Sequence, residues 1–223
     1  MTLAHPEFSR CIEFAENTVN VLVVENQPML RRVVTGLLSQ ITCGDGGEFV
    51  LSDEHSIVEL GKTAEFITDP FCISMSDKRF QTKINQEAVK LCCAELEEET
   101  ACLLTSASRL GAALTVSLDF SADYTAPSDV SAFLKLLDLH IDSESMTLPE
   151  RLIEYMKLCR RFFGKKLFVF LNLKSFLSDR ELELFYGTVM YEKFDILLIE
   201  GVQREKSCSC ERVYIIDSDL CEI

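Results

Sequence analysis

The sequence is poor in positive charge, with 22 Lys and Arg residues against 36 Asp and Glu residues and a formal net charge of −14. This balance excludes a generally basic protein that coats nucleic acid. The sequence also lacks any apolar run near the roughly 18 residues that a membrane span needs. Its first residues lack the basic and apolar parts of a targeting signal. We therefore expect a soluble, cytoplasmic protein with no membrane partner.

No zinc pattern is present, despite ten cysteines and three histidines. Cys208-Ser-Cys210 lacks the second Cys-x-x-Cys half that structural zinc sites use, and His5, His55 and His140 are scattered along the chain. Without a secretion signal, the cysteines are expected to stay reduced. We predict free thiols that act mostly as small apolar side chains.

Catalytic signatures are missing as well. The chain has no Gly-x-Ser-x-Gly sequence to carry a nucleophile. The residues after the apolar run that ends at Val24 read Glu-Asn-Gln-Pro. They contain no glycine, so they lack the loop whose backbone amides hold phosphate in nucleotide hydrolases. These absences argue against nucleotide hydrolysis and against nucleophilic catalysis.

The composition that remains is globular, with 48% apolar and 26% charged residues over 223 positions. This length can build one large domain or a domain with an insertion. Four apolar runs have the length and the β-branched content of strands buried on both faces of a sheet. They are Val19–Val24, Leu167–Leu171, Ile196–Ile199 and Val213–Ile216.

Helical patterns follow two of these runs. Gln27–Gln40 has a proline in its first turn and apolar residues on one side, and Ser178 begins a capping box for a helix that ends near Met190. The succession of strand, helix and strand predicts parallel crossovers. The predicted fold class is therefore α/β with a mostly parallel sheet. Further strands are expected in the opening residues and at Glu48–Leu51.

A different pattern separates the two sheet-forming parts. Phe80–Leu118 contains no proline, and Val89, Leu96, Leu103 and Leu110 recur every seven residues. This spacing predicts one long helix of roughly 55 Å with a coiled-coil-like apolar stripe. Because the stripe is too long for one small domain to cover, we expect subunits to pack there.

Two more helices are predicted after the long one, at residues 130–139 and 148–163. The predicted domains are an α/β domain made of residues 1–75 and 165–223 and an inserted α-helical domain of residues 76–164.

Polar residues follow the predicted strands, where parallel sheets usually bind ligands. Glu25 with Glu200, or Glu200 with Asp217, is a candidate pair for a general acid and base, and Asn172 follows a neighbouring strand. The alternative is that these residues are polar strand ends without a catalytic role.

Acidic residues gather in the helical insertion. Clustered carboxylates in loops suit a hard cation such as calcium, which accepts six to eight oxygen ligands. A solvated acidic loop without metal explains the same pattern. The acids are Asp119, Asp123, Asp129, Asp138, Asp142 and Glu144.

Basic residues are few, but they occur in groups. Each group can simply be a solvated or ion-paired surface. Alternatively, copies of a group that line one cavity would create local positive potential and hold DNA despite the net charge. The groups are Arg31 with Arg32, Lys78 and Arg79 with Lys83, and Arg160 and Arg161 with Lys165 and Lys166.

The carboxyl-terminal half resembles a known family, the accessory adaptation proteins of subtype II-A CRISPR-Cas loci. In that family too, a helical insertion precedes a strand ending in Asn, a helix start of the type Leu-Thr/Ser-x-x-Glu and a strand ending in Glu. The matching segments are Lys166–Asn172, Phe176–Ser178 with Glu181, Ile196–Glu200 and Tyr214–Asp217, and the insertion from Leu118–Phe120 to Ile141–Glu144 is similar as well.

The resemblance implies a ring-shaped homotetramer that binds calcium in its helical region and holds double-stranded DNA by its ends. It implies a sheet related to phosphate-loop ATPases without the glycine-rich loop, and no catalytic activity. It also implies a role in spacer acquisition beside the CRISPR integrase proteins and the RNA-guided nuclease. The alternatives are a nucleotide-dependent enzyme on a degenerate phosphate-loop fold and a protein-interaction scaffold that binds no DNA.

With this resemblance, the charged groups become candidate site residues. We expect no catalytic residue and no cofactor other than calcium. The candidates for DNA binding are Lys165, Lys166, Arg160, Arg161, Lys78, Arg79 and Lys83, and those for calcium are Asp119, Asp123, Asp129 and Asp142.

Overall fold

The structure is a computed structural model that describes residues 1–44, 46–54, 56–143, 145–204 and 208–223. Two residues considered above, His55 and Glu144, lie outside the described residues. The chain forms two compact units. The first consists of Met1–Ser74 and Ser143–Ile223, and the second consists of Met75–Asp142.

All strands of the described residues belong to the first unit. In chain order they are β1 (Thr2–Ala4), β2 (Ile12–Glu13), β3 (Val19–Val24), β4 (Val50–Asp53), β5 (Ser56–Val58), β6 (Ala64–Ile67), β7 (Leu167–Leu171), β8 (Asp195–Glu200) and β9 (Glu211–Ile216).

Five of these strands form a parallel sheet in the spatial order β6, β7, β8, β3, β9. The other four form a separate antiparallel sheet in the order β2, β1, β4, β5. The four apolar runs are thus confirmed as strands of a parallel sheet in an α/β fold. The strands expected in the opening residues and near residue 50 are also present, and they build the antiparallel sheet.

Seven α-helices are found in the described residues, and none of them is long and apolar enough to cross a membrane. They are α1 (Gln27–Cys43), α2 (Leu60–Thr63), α3 (Lys78–Ala94), α4 (Glu97–Ser117), α5 (Ser131–Leu137), α6 (Leu148–Phe163) and α7 (Asp179–Tyr191).

The parallel sheet is the centre of the first unit because its strands are apolar on both faces. All six residues of β3 and five of the six residues of β8 are buried. Leu22 and Val24 belong to the same apolar cluster as Val33 of α1. Phe170, in β7, packs edge to face against Phe185 of α7 with 5.8 Å between the ring centres. The strands therefore hold helices on opposite faces, as expected for parallel crossovers.

The position of α6 differs from the sequence-based domain boundary. The prediction assigned residues 76–164 to the insertion, whereas residues from Ser143 onward belong to the first unit. α6 buries Leu152, Met156 and Cys159 completely and packs against α7. Its apolar pattern predicts a helix correctly but does not specify which part of the molecule the apolar side covers.

The second unit contains a helix break that the heptad spacing does not predict. The expected single helix over Phe80–Leu118 is wrong, because α3 ends at Ala94 and α4 begins at Glu97. Leu96 lies between them with non-helical backbone angles (φ −118°, ψ 37°). Acidic side chains are favoured in the first turn of a helix and unfavourable in its last turn. Glu97, Glu98 and Glu99 therefore favour a new helix start.

The second unit has a small core. Its cluster of buried apolar residues consists of Cys92, Val130 and Leu134. α4 has no buried residue along its whole length. Leu103 is 40% exposed and Leu110 is 62% exposed. Of the predicted stripe, α4 therefore carries only the exposed Leu103 and Leu110, whereas Val89 lies in α3, partly buried against the small core.

Candidate nucleic-acid interface

One basic group lies where α6 passes into β7. Gly164, with a φ of 70°, ends α6, and Lys165 and Lys166 lead into the strand. Arg160 and Arg161 lie in the last turn of the helix, where its dipole favours positive charge. The four side chains are close along the chain, but each has different surroundings.

The Lys165 side chain is turned into the first unit. Its Nζ donates hydrogen bonds to the carbonyl oxygens of Gly61 at 2.5 Å and Ala64 at 2.7 Å, and it lies 3.7 Å from Glu65 Oε2. The side chain is only 11% exposed. Lys165 therefore fixes the start of β6. This position differs from the outward, phosphate-facing one expected from the sequence.

Arg160 also has a structural role. Its guanidinium donates to the carbonyl oxygen of Glu192 at 2.5 Å and to Glu192 Oε2 at 2.9 Å, and it lies 4.1 Å from the ring centre of Phe194. Lys157 contacts the same carboxylate at 3.2 Å. These contacts tie α6 to the end of α7 and leave little of the Arg160 charge for an external phosphate.

The other two residues of this group are exposed. Lys166 pairs with Asp53 Oδ2 at 3.1 Å, and its side chain is 60% exposed. Arg161 is exposed, and its guanidinium lies 5.8 Å from the ring centre of Phe162. A charge that is mostly solvated can exchange its partner for a phosphate at small cost. Lys166 and Arg161 thus remain candidates for DNA binding.

The second basic group begins α3 in the second unit. Lys78 and Arg79 occupy the first turn and are exposed, and Lys83 is half-buried one turn further on. Positive side chains are unfavourable at the amino end of a helix, because the helix dipole is already positive there. The helix dipole therefore does not favour Lys78 and Arg79 at this position.

A fourth basic residue continues this group along α3. Arg79, Lys83 and the exposed Lys90 are spaced by four and seven residues, which places them on one side of the helix. We call these three residues the basic stripe. Lys90 is not adjacent to another basic residue, but the helical period from Arg79 predicts its position.

The acids expected to bind calcium are not gathered. Within the described residues, no group of three or more His, Cys, Asp or Glu side chains is arranged to hold a metal. Asp123 Oδ1 accepts from the Tyr124 backbone N–H at 2.8 Å, and Asp129 Oδ1 accepts from the Ser131 N–H at 2.7 Å. The bonds from Ser131 hold the pKa of Asp129 below its usual range. Asp119 is exposed.

Asp142 is exposed at the end of the second unit, and the neighbouring acid Glu144 lies outside the described residues. The placement of the four predicted ligands therefore differs from the clustered site expected from their spacing. Short acidic side chains in loops readily accept bonds from nearby backbone N–H groups. This local preference turns Asp123 and Asp129 toward their own loop.

The polar ends of the parallel strands have partners of their own. Asn172 has a left-handed backbone (φ 51°), and its Oδ1 accepts from the Gly201 N–H at 3.0 Å. Glu200 is buried, and its Oε1 accepts from the Lys174 N–H at 3.0 Å. Burial raises the pKa of Glu200. Both side chains therefore link the end of β7 to the end of the neighbouring strand β8.

The remaining strand ends are similar. The side-chain amide of Asn26 donates to the carbonyl oxygen of Ser218 at 2.9 Å, and its Oδ1 caps α1. Asp217 Oδ1 accepts from the backbone N–H groups of Asp219 at 2.9 Å and Cys221 at 2.8 Å. These contacts favour a structural interpretation of the strand ends over an acid and base pair.

A buried ion pair between Lys174 and Glu211 is not predicted by the sequence patterns above. Lys174 Nζ lies 2.7 Å from Oε1 and 2.9 Å from Oε2 of Glu211, and the two side chains are 7% and 1% exposed. Tyr186 donates to Glu211 Oε1 at 2.7 Å, and burial together with the charge of Glu211 raises the pKa of Tyr186. Burial also raises the pKa of Cys208 and Cys210, which opposes thiolate chemistry there.

Together, the sheet, the inserted helices and the basic stripe define an α/β protein with a helical insertion that carries a positively charged helix. The sequence model of the CRISPR-associated protein family Cas_Csn2 matches residues 42–220, which include the whole second unit and four strands of the parallel sheet. This chain belongs to that family, so the resemblance described above is confirmed. No curated protein matches the chain.

Proposed function

We propose that this CRISPR-associated protein binds the ends of double-stranded DNA during spacer acquisition and catalyses no reaction. It acts as a homotetrameric ring beside the CRISPR integrase proteins and the RNA-guided nuclease. Membership in the Cas_Csn2 family supports the CRISPR-associated role. The further parts of the proposal rest on the charges and exposed surfaces described above.

The basic stripe is the observation that carries DNA binding. α3 has four basic side chains and one acidic side chain in a protein whose net charge is −14. Phosphate is repelled by the average surface and attracted only where such charges are concentrated. Copies of the stripe around a ring would add their positive potentials along the duplex. Lysine and arginine side chains on a helix surface contact phosphate without reading sequence, so the proposed binding is to the phosphate backbone.

Assembly into a ring is supported by α4. A helix of 21 residues without a buried side chain exposes a row of apolar residues to water. Soluble proteins rarely leave such a surface uncovered, and helices with apolar residues at this spacing usually pair. We assign α4 to contacts between subunits.

Calcium binding is part of the proposal and rests on the family alone. The described residues of one chain do not bring Asp119, Asp123, Asp129 and Asp142 together, so we derive no step that depends on the metal. If calcium binds, its oxygen ligands would come from these loops, where carboxylates and carbonyls are accessible.

We also propose that the parallel sheet is related to phosphate-loop ATPases but holds no nucleotide. Only Glu25 and Asn26 connect β3 to α1, and neither is a glycine. Asn26 caps the first turn of α1, where a phosphate would otherwise accept from the N–H groups. This geometry favours DNA binding without catalysis over a nucleotide-dependent enzyme.

The test compares two variants with the same change in charge. Arg79→Glu with Lys83→Glu reverses two charges of the stripe, and Lys62→Glu with Lys193→Glu reverses two exposed lysines of the first unit, whose side chains are 79% and 75% exposed. Arg79→Glu places an acid in the first turn of α3, where the helix dipole favours it, and circular dichroism checks that the double variant stays folded. Fluorescence anisotropy of a linear duplex, titrated with salt, measures the binding.

We expect the stripe variant to lose at least about tenfold in affinity and the control variant to bind almost as the wild type does. Each lost phosphate contact should also flatten the log–log salt dependence by about 0.9. If the ring encloses DNA, covalently closed circles should compete poorly with linear fragments. Equal loss in both variants, or equal competition by circles, would contradict the proposal.

A further inference from the structure

A large groove lies on the first unit between α6 and α7. Its volume is about 740 Å³. Its floor is apolar, with Ile153 from α6 and Phe185 from α7, both buried. Leu184 also lines the groove, and 64% of this side chain is exposed. An apolar side chain that stands in an open groove between two helices is a favourable contact for a third helix.

The rim of the groove is acidic. Glu150, Glu154 and Glu181 line it, and the one cation among the lining residues, Lys157, is already 3.2 Å from Glu192. Three carboxylates beside an apolar floor repel nucleic acid and attract a positively charged protein segment.

Two of these carboxylates are held in the charged form. Glu150 accepts hydrogen bonds from Thr147 and Glu181 accepts them from Ser178, and these bonds lower the pKa of both acids. Each set of bonds uses Oε2 of the glutamate. Both acids are therefore ionised at neutral pH, and their other oxygen, Oε1, is available to a partner.

We infer that this groove binds a cationic amphipathic helix of a partner protein. Apolar side chains of that helix would contact the exposed Leu184, and its Lys or Arg residues would pair with the three glutamates. The exposed apolar helix of a second copy, α4, fits poorly, because it begins with Glu97, Glu98 and Glu99 and would bring like charges to the rim. The inference is independent of DNA binding by the basic stripe.

The experiment uses a fluorescein-labelled peptide of about five helical turns, made of leucine at helical spacing on one side and lysine on the other. Anisotropy measures its affinity for the full chain. Leu184→Lys places a cation in the groove, and Glu154→Gln removes one rim charge without touching a helix cap. Ile57→Lys is the matched control, because this residue of β5 is 80% exposed and lies outside the groove.

We expect saturable binding by the wild type and by Ile57→Lys, a loss of about tenfold or more for Leu184→Lys, and a smaller loss for Glu154→Gln. A peptide with glutamate in place of every lysine should not bind. Arg79→Glu with Lys83→Glu should bind the lysine peptide as the wild type does.

Equal affinity of Leu184→Lys and Ile57→Lys for the lysine peptide would overturn the inference, as would tight binding of the glutamate peptide. If Leu184→Lys lowers the native mass while peptide affinity stays unchanged, the groove is a contact between copies of this chain, and the inference is wrong.

Discussion

The two units of this chain differ in how much of their own surface they bury. In the first unit, strands such as β3 are buried along their whole length, and helices cover both faces of the sheet. In the second unit, α4 runs for 21 residues without one buried side chain. Burial of apolar surface is the main term that favours folding. The first unit thus buries the apolar residues of its central strands, whereas the second leaves apolar residues of α4 exposed.

The units also differ in how they use positive charge. In the first unit, Lys174 is buried against Glu211, and Lys165 is bonded to backbone carbonyls. In the second unit, Arg79 and Lys90 lie exposed along one side of α3. Lys174 and Lys165 thus help to hold the first unit together, whereas Arg79 and Lys90 of the second unit lie at its surface.

The largest expected effect tests whether the units are stable separately. Leu197→Ala in β8, at a residue only 1% exposed, should lower the free energy of unfolding of the sheet by about 2–5 kcal/mol, because a cavity remains in a packed core. Leu134→Ala removes a residue of the small cluster in the second unit. It should speed amide hydrogen exchange in α3 and α5 and leave the sheet protected. Amide hydrogen exchange of both variants, measured by mass spectrometry, checks these expectations.

Leu134→Ala is also the control for this comparison, since the chemical change is the same. If it speeds exchange in β8 as much as in α3, the two units unfold together and the distinction between them fails.

A second expected effect concerns the uncovered helix. Leu103→Glu places a charge in the apolar row of α4 and should lower the native mass from about four chains to fewer, without loss of helix content. Leu136→Glu is the matched control, because that residue of α5 is 81% exposed and lies outside the row. Light scattering after size exclusion gives the mass. A wild-type protein that is already monomeric at micromolar concentration would refute the subunit contact.

The difference in burial between the two units also explains which elements can be predicted from the sequence. Val19–Val24 and Leu167–Leu171 are confirmed to the residue, because a fully buried strand has an unbroken apolar run that few other structures share. The heptad spacing of Val89 to Leu110 predicts helix correctly, but it misses the break at Leu96 and the packing of Val89 against the small core. The three acids that begin α4 favour a helix start there, and an apolar period contains no information about charge.

The site residues were harder to predict because their roles depend on distant parts of the chain. Lys165 and Lys166 are adjacent in sequence, yet one is buried against Gly61 and the other is exposed beside Asp53. These partners lie more than a hundred positions away in the sequence, so the residues near the lysines do not indicate which lysine is buried. Lys90, by contrast, is predictable from the helical period of α3.

The smallest expected effect concerns calcium in the second unit. A metal that binds only the folded state stabilises it by about 2.7 kcal/mol when its concentration is one hundred times Kd, so calcium should raise the melting temperature relative to chelator. Asp119→Asn with Asp123→Asn should abolish this rise, whereas Glu97→Gln with Glu98→Gln removes the same charge from α4 and should retain it. Identical melting curves of the wild type in calcium and in chelator would remove calcium from the proposed function and leave the comparison between the units unchanged.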